Sequence, residues 1–220
     1  MSLYFLVLGA VLSLIYLAIR ANKARQLKYI EQYHFHKGIR CKLSQKHPHL
    51  TERQLDMVFQ GLKDYFRICH QAKKRMVSMP SQVIDDAWHE FILSTRIYEK
   101  FCSKAMGRFL HHTPAEAMPA PTVAKVGIKR AWRLACALEQ INPKKPDRLP
   151  LIFAIDGLLN INNGFIYQLD CKKNGAGGYC ASHISCSSGC GGSGDGFDSG
   201  NSSDSSGCGS DCGGGCGGGD

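Results

Sequence analysis

Apolar residues recur along this chain at intervals that change character several times. Residues 2–19, SLYFLVLGAVLSLIYLAI, hold no charged side chain and leave no polar face. At 1.5 Å rise per residue this stretch reaches about 27 Å, the hydrocarbon thickness of a thin bilayer, and predicts a transmembrane helix. Residues 22–46 keep a sparse helical spacing at Leu27, Ile30 and Tyr33 on a basic, polar background. That pattern predicts a juxtamembrane stalk continuing the membrane helix, ended near His47-Pro48 because the residue before a proline leaves the α region.

A denser pattern follows. Thr51-Glu52-Arg53-Gln54 reads as a capping box, and Leu55, Val58, Phe59, Leu62, Phe66 and Cys69 then step by three and four. A core helix over 52–75 is expected, with Gly61 inside it at modest cost. Pro80 and Ser81 open the next helix and Gly107 ends it. Between them Ile84, Trp88, Phe91, Thr95, Tyr98, Cys102 and Ala105 form one uninterrupted stripe, predicting a single continuous helix. A loop over 111–121 leads to a helix over about 122–141, with Val123, Val126, Ala131, Leu134, Ala135 and Leu138 on its apolar face. LPLIFAIDGLLNI (149–161) favours helix because Leu and Ala outweigh β-branched residues, and FIYQLD after Asn162-Asn163-Gly164 suits a short strand or an extended end. The expected fold is mainly α: a transmembrane anchor (1–21), a basic juxtamembrane helix (22–50), a small helical bundle domain (51–173) and a disordered Gly/Ser/Cys-rich tail (174–220). The tail offers too little apolar area to offset the entropy of ordering it.

Charge sharpens this division. The 220 residues carry 27 Lys+Arg and 18 Asp+Glu, net +9. Every basic residue lies at or before Lys173, whereas Asp195, Asp198, Asp204, Asp211 and Asp220 all follow it. The body therefore holds 27 basic and 13 acidic groups, and 17 of the 24 glycines fall in the tail. Such a split excludes a uniform globular chain, a collagen and a wholly disordered protein. Arg20, Lys23, Arg25 and Lys28 flank the apolar run on its C-terminal side, which orients the N-terminus outward and the body into the cytoplasm. No basic n-region or good cleavage pair supports a signal peptide instead. The lipid bilayer is thus the first expected partner, with those four cations against anionic head groups, and a bacterial inner membrane is the expected setting. A reducing cytoplasm argues against structural disulfides among the 11 cysteines, and Cys41, Cys69, Cys102 and Cys136 read as small buried hydrophobes.

The densest candidate chemistry is Asp85-Asp86-Ala87-Trp88-His89. Asp85 and His89 stand four apart on one helix face, and His111-His112 follow the helix end. One carboxylate with two or three imidazoles suits Zn²⁺ or another divalent metal. An unbroken helix from 89 to 106 would carry the chain about 26 Å away, so the His-His loop must fold back to meet His89. Otherwise Trp88 packs in the core and His89 simply hydrogen-bonds, the commoner fate of such histidines. In the tail, Cys180, His183, Cys186-x₃-Cys190 and Cys208-x₃-Cys212-x₃-Cys216 offer thiolates without the CxxC knuckles of a zinc ribbon, so a flexible interaction-prone or redox-sensitive tail is favoured over a metal buffer. P-loop, dinucleotide-fold, HExxH and nucleophile-elbow motifs are absent, and the spread of the basic charge makes nucleic acid the less favoured partner.

IDDAWHEFILSTRIYEKFC, GRFLHHTP and LPLIFAID together resemble the uncharacterised family of glycine-rich-domain-containing-protein-like sequences. The resemblance covers roughly residues 80–170 and rests on Asp85, Trp88, His89, Tyr98, Phe101, Cys102, His111, His112 and Pro114. It implies a helical domain and supplies no mechanism. The function favoured at this level is a membrane-tethered binding or scaffold module for an unknown protein partner rather than an enzyme. The alternative is a metal-dependent enzymatic or sensory site built on Asp85, His89 and His111/His112.

Overall fold

A computed structural model describes residues 2–113, 121–169, 179–180 and 184. They belong to the unit Met1–Ser187; the unit Ser188–Asp220 lies outside the described residues. In chain order the elements are α1 (Ser2–Glu31), α2 (Lys37–Lys46), α3 (Glu52–Ala72), α4 (Gln82–Leu93), α5 (Thr95–Met106), α6 (Pro121–Leu138), α7 (Leu151–Leu158), β1 (Tyr167–Gln168) and β2 (Tyr179–Cys180). The fold is mainly α, as its periodicity predicts.

α3 is the hub. Thr51 and Gln54 close a reciprocal capping box at its start, and every residue of its predicted stripe is buried. α1, α4, α6 and α7 all pack against it. Gly61 has a packing reason, since a Cβ there would stand 2.6 Å from Ile84 Cδ1 on α4. α6 buries Ala131 and Ala135 of the expected face, with Leu134 and Leu138 packed at its edge, but adds Trp132 and Cys136 to the interior and leaves Val126 exposed. Trp132 takes over the contact, edge-on to Phe153 of α7, and donates from Nε1 to the Pro143 carbonyl.

α1 has two characters. The segment Tyr4–Glu31 is long and apolar enough to cross a membrane, and its side chains from Tyr4 to Arg25 are all exposed. Beyond Arg25 the same helix docks on the domain. Ile30 is fully buried, His70 Nε2 lies 2.9 Å from Gln26 Oε1, and Lys63 Nζ donates to the Glu31 carbonyl at 3.0 Å. The helix then stops, and α2 begins where His36 Nδ1 accepts from the Gly38 amide. Ile39, Leu43 and Leu50 join Ile30 in one core with α3–α7. The stretch expected to stand as a stalk is therefore part of the bundle. Its apolar positions, sparse on one long helix, fall on one side once the chain turns at residues 32–36.

The stripe from Ile84 to Ala105 is not one helix either. It breaks at Ser94, whose backbone (φ −84°, ψ 58°) leaves the helical region. Phe91 and Tyr98 stay buried on the two sides of the break, while Thr95 turns outward. α5 ends at Gly107, whose φ of 64° is the left-handed conformation a glycine C-cap supplies.

Near the C-terminal boundary, β1 pairs in parallel with β2 in the register Tyr167↔Tyr179 and Gln168↔Cys180. Tyr179–Cys180 falls in the stretch expected to be disordered, and the pairing corrects that expectation at these two residues. Pro114 and the tail residues His183, Cys186, Cys190, Cys208, Cys212 and Cys216 lie outside the described residues. Of the four body cysteines, Cys69, Cys102 and Cys136 are buried and free as expected, but Cys41 is exposed.

Candidate functional site

The site begins with how α4 is held. Ser81 caps it, accepting from the Ile84 amide. Behind this cap stands Asp156 of α7, 1 % exposed, whose carboxylate accepts from Ser81 Oγ (2.7 Å), the Gln82 amide (2.7 Å), the Val83 amide (3.2 Å) and the Phe165 amide (2.9 Å). A buried carboxylate thus meets the positive end of the helix dipole with its lone pairs occupied. Sequence reasoning missed this residue. The available signal was a lone acid inside an apolar run.

The adjacent carboxylates of α4 face different partners. Asp86, buried, takes Lys46 Nζ at 2.6 Å and His47 Nε2 at 2.8 Å, pinning the end of α2 to α4. Asp85, one position earlier, is half-buried and faces the loop after α5. Its Oδ1 lies 2.8 Å from His112 Nε2, and its Oδ2 lies 3.6 Å from His89 Nδ1. The His112 ring sits between Trp88, centroids 4.6 Å apart, and His89, centroids 4.4 Å apart.

The break at Ser94 makes this meeting possible. α5 returns so that Trp88 Nε1 donates to the Tyr98 hydroxyl (3.1 Å), which donates to the Leu110 carbonyl (2.5 Å). All three residues are buried. This chain ties α4, α5 and the 108–113 loop together and delivers His112 to Asp85. The separation that a straight helix would impose is thereby abolished.

Of the four residues singled out from sequence, three converge. One donor atom each from Asp85, His89 and His112 lies within 4.8 Å of the others. His111 does not join them; its exposed ring lies 4.9 Å from that of Phe109. The donors are one carboxylate oxygen and two imidazole nitrogens. Around a tetrahedral zinc, with bonds near 2.0–2.2 Å, they would stand about 3.3 Å apart. Small side-chain rotations close that gap, and the exposure of His89 leaves a way in from solvent.

Nearby thiols and phenols do not offer themselves as nucleophiles. Burial pushes the Cys69 thiol up to about 12 and raises Cys102, so both stay protonated. Tyr65 and Tyr98 are likewise held protonated by burial.

Fold and site together define a mainly helical domain on an N-terminal apolar helix long enough to span a membrane, with an Asp–His–His cluster at the α4–α5 return. The chain belongs to the UCP032817-like family, whose model matches residues 25–186. That match takes in the docked end of α1 and everything through the site. The match does not support the glycine-rich-domain-containing-protein-like naming that the motif residues suggest. No curated protein and no solved structure shows significant similarity to the chain.

Proposed function

We propose that this is a membrane-anchored protein whose helical domain binds one divalent metal ion, of zinc type, through Asp85, His89 and His112. The observation that carries the reading is the convergence of three donor atoms within 4.8 Å from segments 27 residues apart. Three protein ligands leave a fourth position for water, the arrangement of catalytic rather than structural zinc. The metal there would act as a Lewis acid or lower the pKa of its bound water, which suits a hydrolytic or sensory role. α1 serves as the anchor. Arg20, Lys23, Arg25 and Lys28 orient the domain to the cytoplasmic side of the membrane. The binding-module role draws no comparable support from the geometry.

Elemental analysis of the full chain, purified without chelator, tests this. Stoichiometric metal is expected in the parent and in His111→Ala, and its loss in Asp85→Asn, His89→Ala and His112→Ala. Equal metal in all five would overturn the assignment. So would none in the parent after zinc loading.

A further inference from the structure

A cleft of about 210 Å³ opens beside the cluster, between the segment after α3 (residues 74–79) and the 108–113 loop. Trp88 and Leu110 contribute apolar lining, and Lys74, Arg75, Arg108 and His111 basic lining. His112 belongs to both places, forming one wall of the cleft and one corner of the cluster.

The lining of this cleft carries charge of one sign. Some cations of the domain meet carboxylates, Arg40 with Glu52 and Asp56, Lys46 with Asp86 and Arg148 with Glu139. No Asp or Glu lines the cleft, and among the described residues none of Lys74, Arg75 and Arg108 has an acidic partner within ion-pair distance. The walls are nonetheless fixed. Tyr65 donates its hydroxyl to the Val77 carbonyl at 2.9 Å, Arg108 donates to the Lys73 carbonyl, and Arg130 donates to the Met76 carbonyl. Three cations are thus gathered on a held scaffold with no acidic partner among the described residues.

We propose that this cleft binds the phosphate group of a small ligand, placing it against the metal cluster. Three permanent cations match a phosphate dianion, and guanidinium forks bind its oxygens in pairs. The volume is below the roughly 300–1,000 Å³ of pockets for drug-sized ligands, so the cleft takes a phosphate with little attached inside it. A soluble metabolite-sized ester and a lipid head group both present such a phosphate. The inference names the substrate class of the metal site and rests on that reading for its chemistry, but binding itself needs only the cleft.

The test is calorimetric titration of inorganic phosphate into the full chain in phosphatidylcholine nanodiscs. The parent should bind phosphate at millimolar or lower concentration, and Lys74→Ala/Arg75→Ala should weaken binding about tenfold with metal content unchanged. Both residues are exposed, so the fold survives their loss. His89→Ala, outside the cleft, should keep phosphate binding while losing metal. If phosphate binds and no variant affects metal, the metal reading fails and the cleft stands. If metal binds but the parent shows no phosphate binding, or the double variant binds as well as the parent, the cleft assignment is overturned. Adding phosphatidic acid to the discs separates the sources. Competition with phosphate that the double variant abolishes supports a lipid head group, and indifference to disc composition supports a soluble phosphate.

Discussion

His112 Nε2 lies 2.8 Å from Asp85 Oδ1, although a helix break and an entire further helix separate the two residues in the chain. The contact depends on the hydrogen-bonded chain from Trp88 through Tyr98 to Leu110. Tyr98→Phe removes the hydroxyl and leaves the Trp88 indole N–H and the Leu110 carbonyl unpaired in the core. A loss of about 2 kcal/mol in urea unfolding is expected, together with weaker metal binding in a chelator competition. Unchanged metal affinity in this variant would mean that the loop is held by other contacts.

Asp156 should matter more for stability than any residue of the cluster. Asp156→Ala strands the Ser81 hydroxyl and three backbone amides, two of them at the start of α4. We expect a loss of roughly 3–5 kcal/mol, with Asp156→Asn retaining part of it. Thermal unfolding checks this, and a fall of less than about 1 kcal/mol in Asp156→Ala would contradict it.

The two halves of these results had different visibility in sequence. Local periodicity was enough for α3, because its cap, stripe and length are all written in adjacent residues. Asp85 and His89 were visible for the same reason, being one turn apart on one helix. The break at Ser94 was not, since the stripe passes through it without a gap and only the tertiary Trp88–Tyr98–Leu110 chain requires the chain to turn. Without the break, nothing selects His112 over His111, its neighbour in sequence, yet in the fold only His112 meets Asp85 while His111 lies against Phe109. The docking of α1 beyond Arg25 was hidden likewise, because Ile30, Ile39 and Leu43 form one face only after the turn at 32–36.

Asp64 on α3 is nearly buried, and desolvation lifts its carboxyl to about 6 against the partial relief given by Arg67 and Gln60. A carboxyl raised in the folded state costs stability above that value and nothing below its unfolded value near 4. Asp64→Asn should therefore stabilise the domain at pH 7.5 by about 2 kcal/mol, and the gain should vanish by pH 4. Urea titrations at the two pH values decide it. A gain independent of pH would point to packing instead.

His70 works in the opposite sense. Burial, with Lys23 and Arg108 nearby, lowers it below its ordinary value of 6.5. A histidine depressed in the folded state supports the fold above its unfolded pKa and withdraws that support as pH falls through it. Because His70 meets Gln26, the loss should be felt where α1 docks. Amide exchange at residues 26–31 should accelerate between pH 7.5 and 5.5, after correction for intrinsic rates, and His70→Gln should flatten the response. Equal acceleration in that variant would assign it to another group.

The proposed metal site uses imidazole and carboxylate from the α4–α5 return rather than thiolates of the Gly/Cys-rich tail. X-ray absorption on the full chain loaded with one equivalent of zinc measures this directly. The expected result is a shell of nitrogen and oxygen near 2.0–2.1 Å, with the outer-shell scattering of two imidazoles and no sulfur. A shell dominated by sulfur near 2.3 Å would place the ion on cysteine and contradict it.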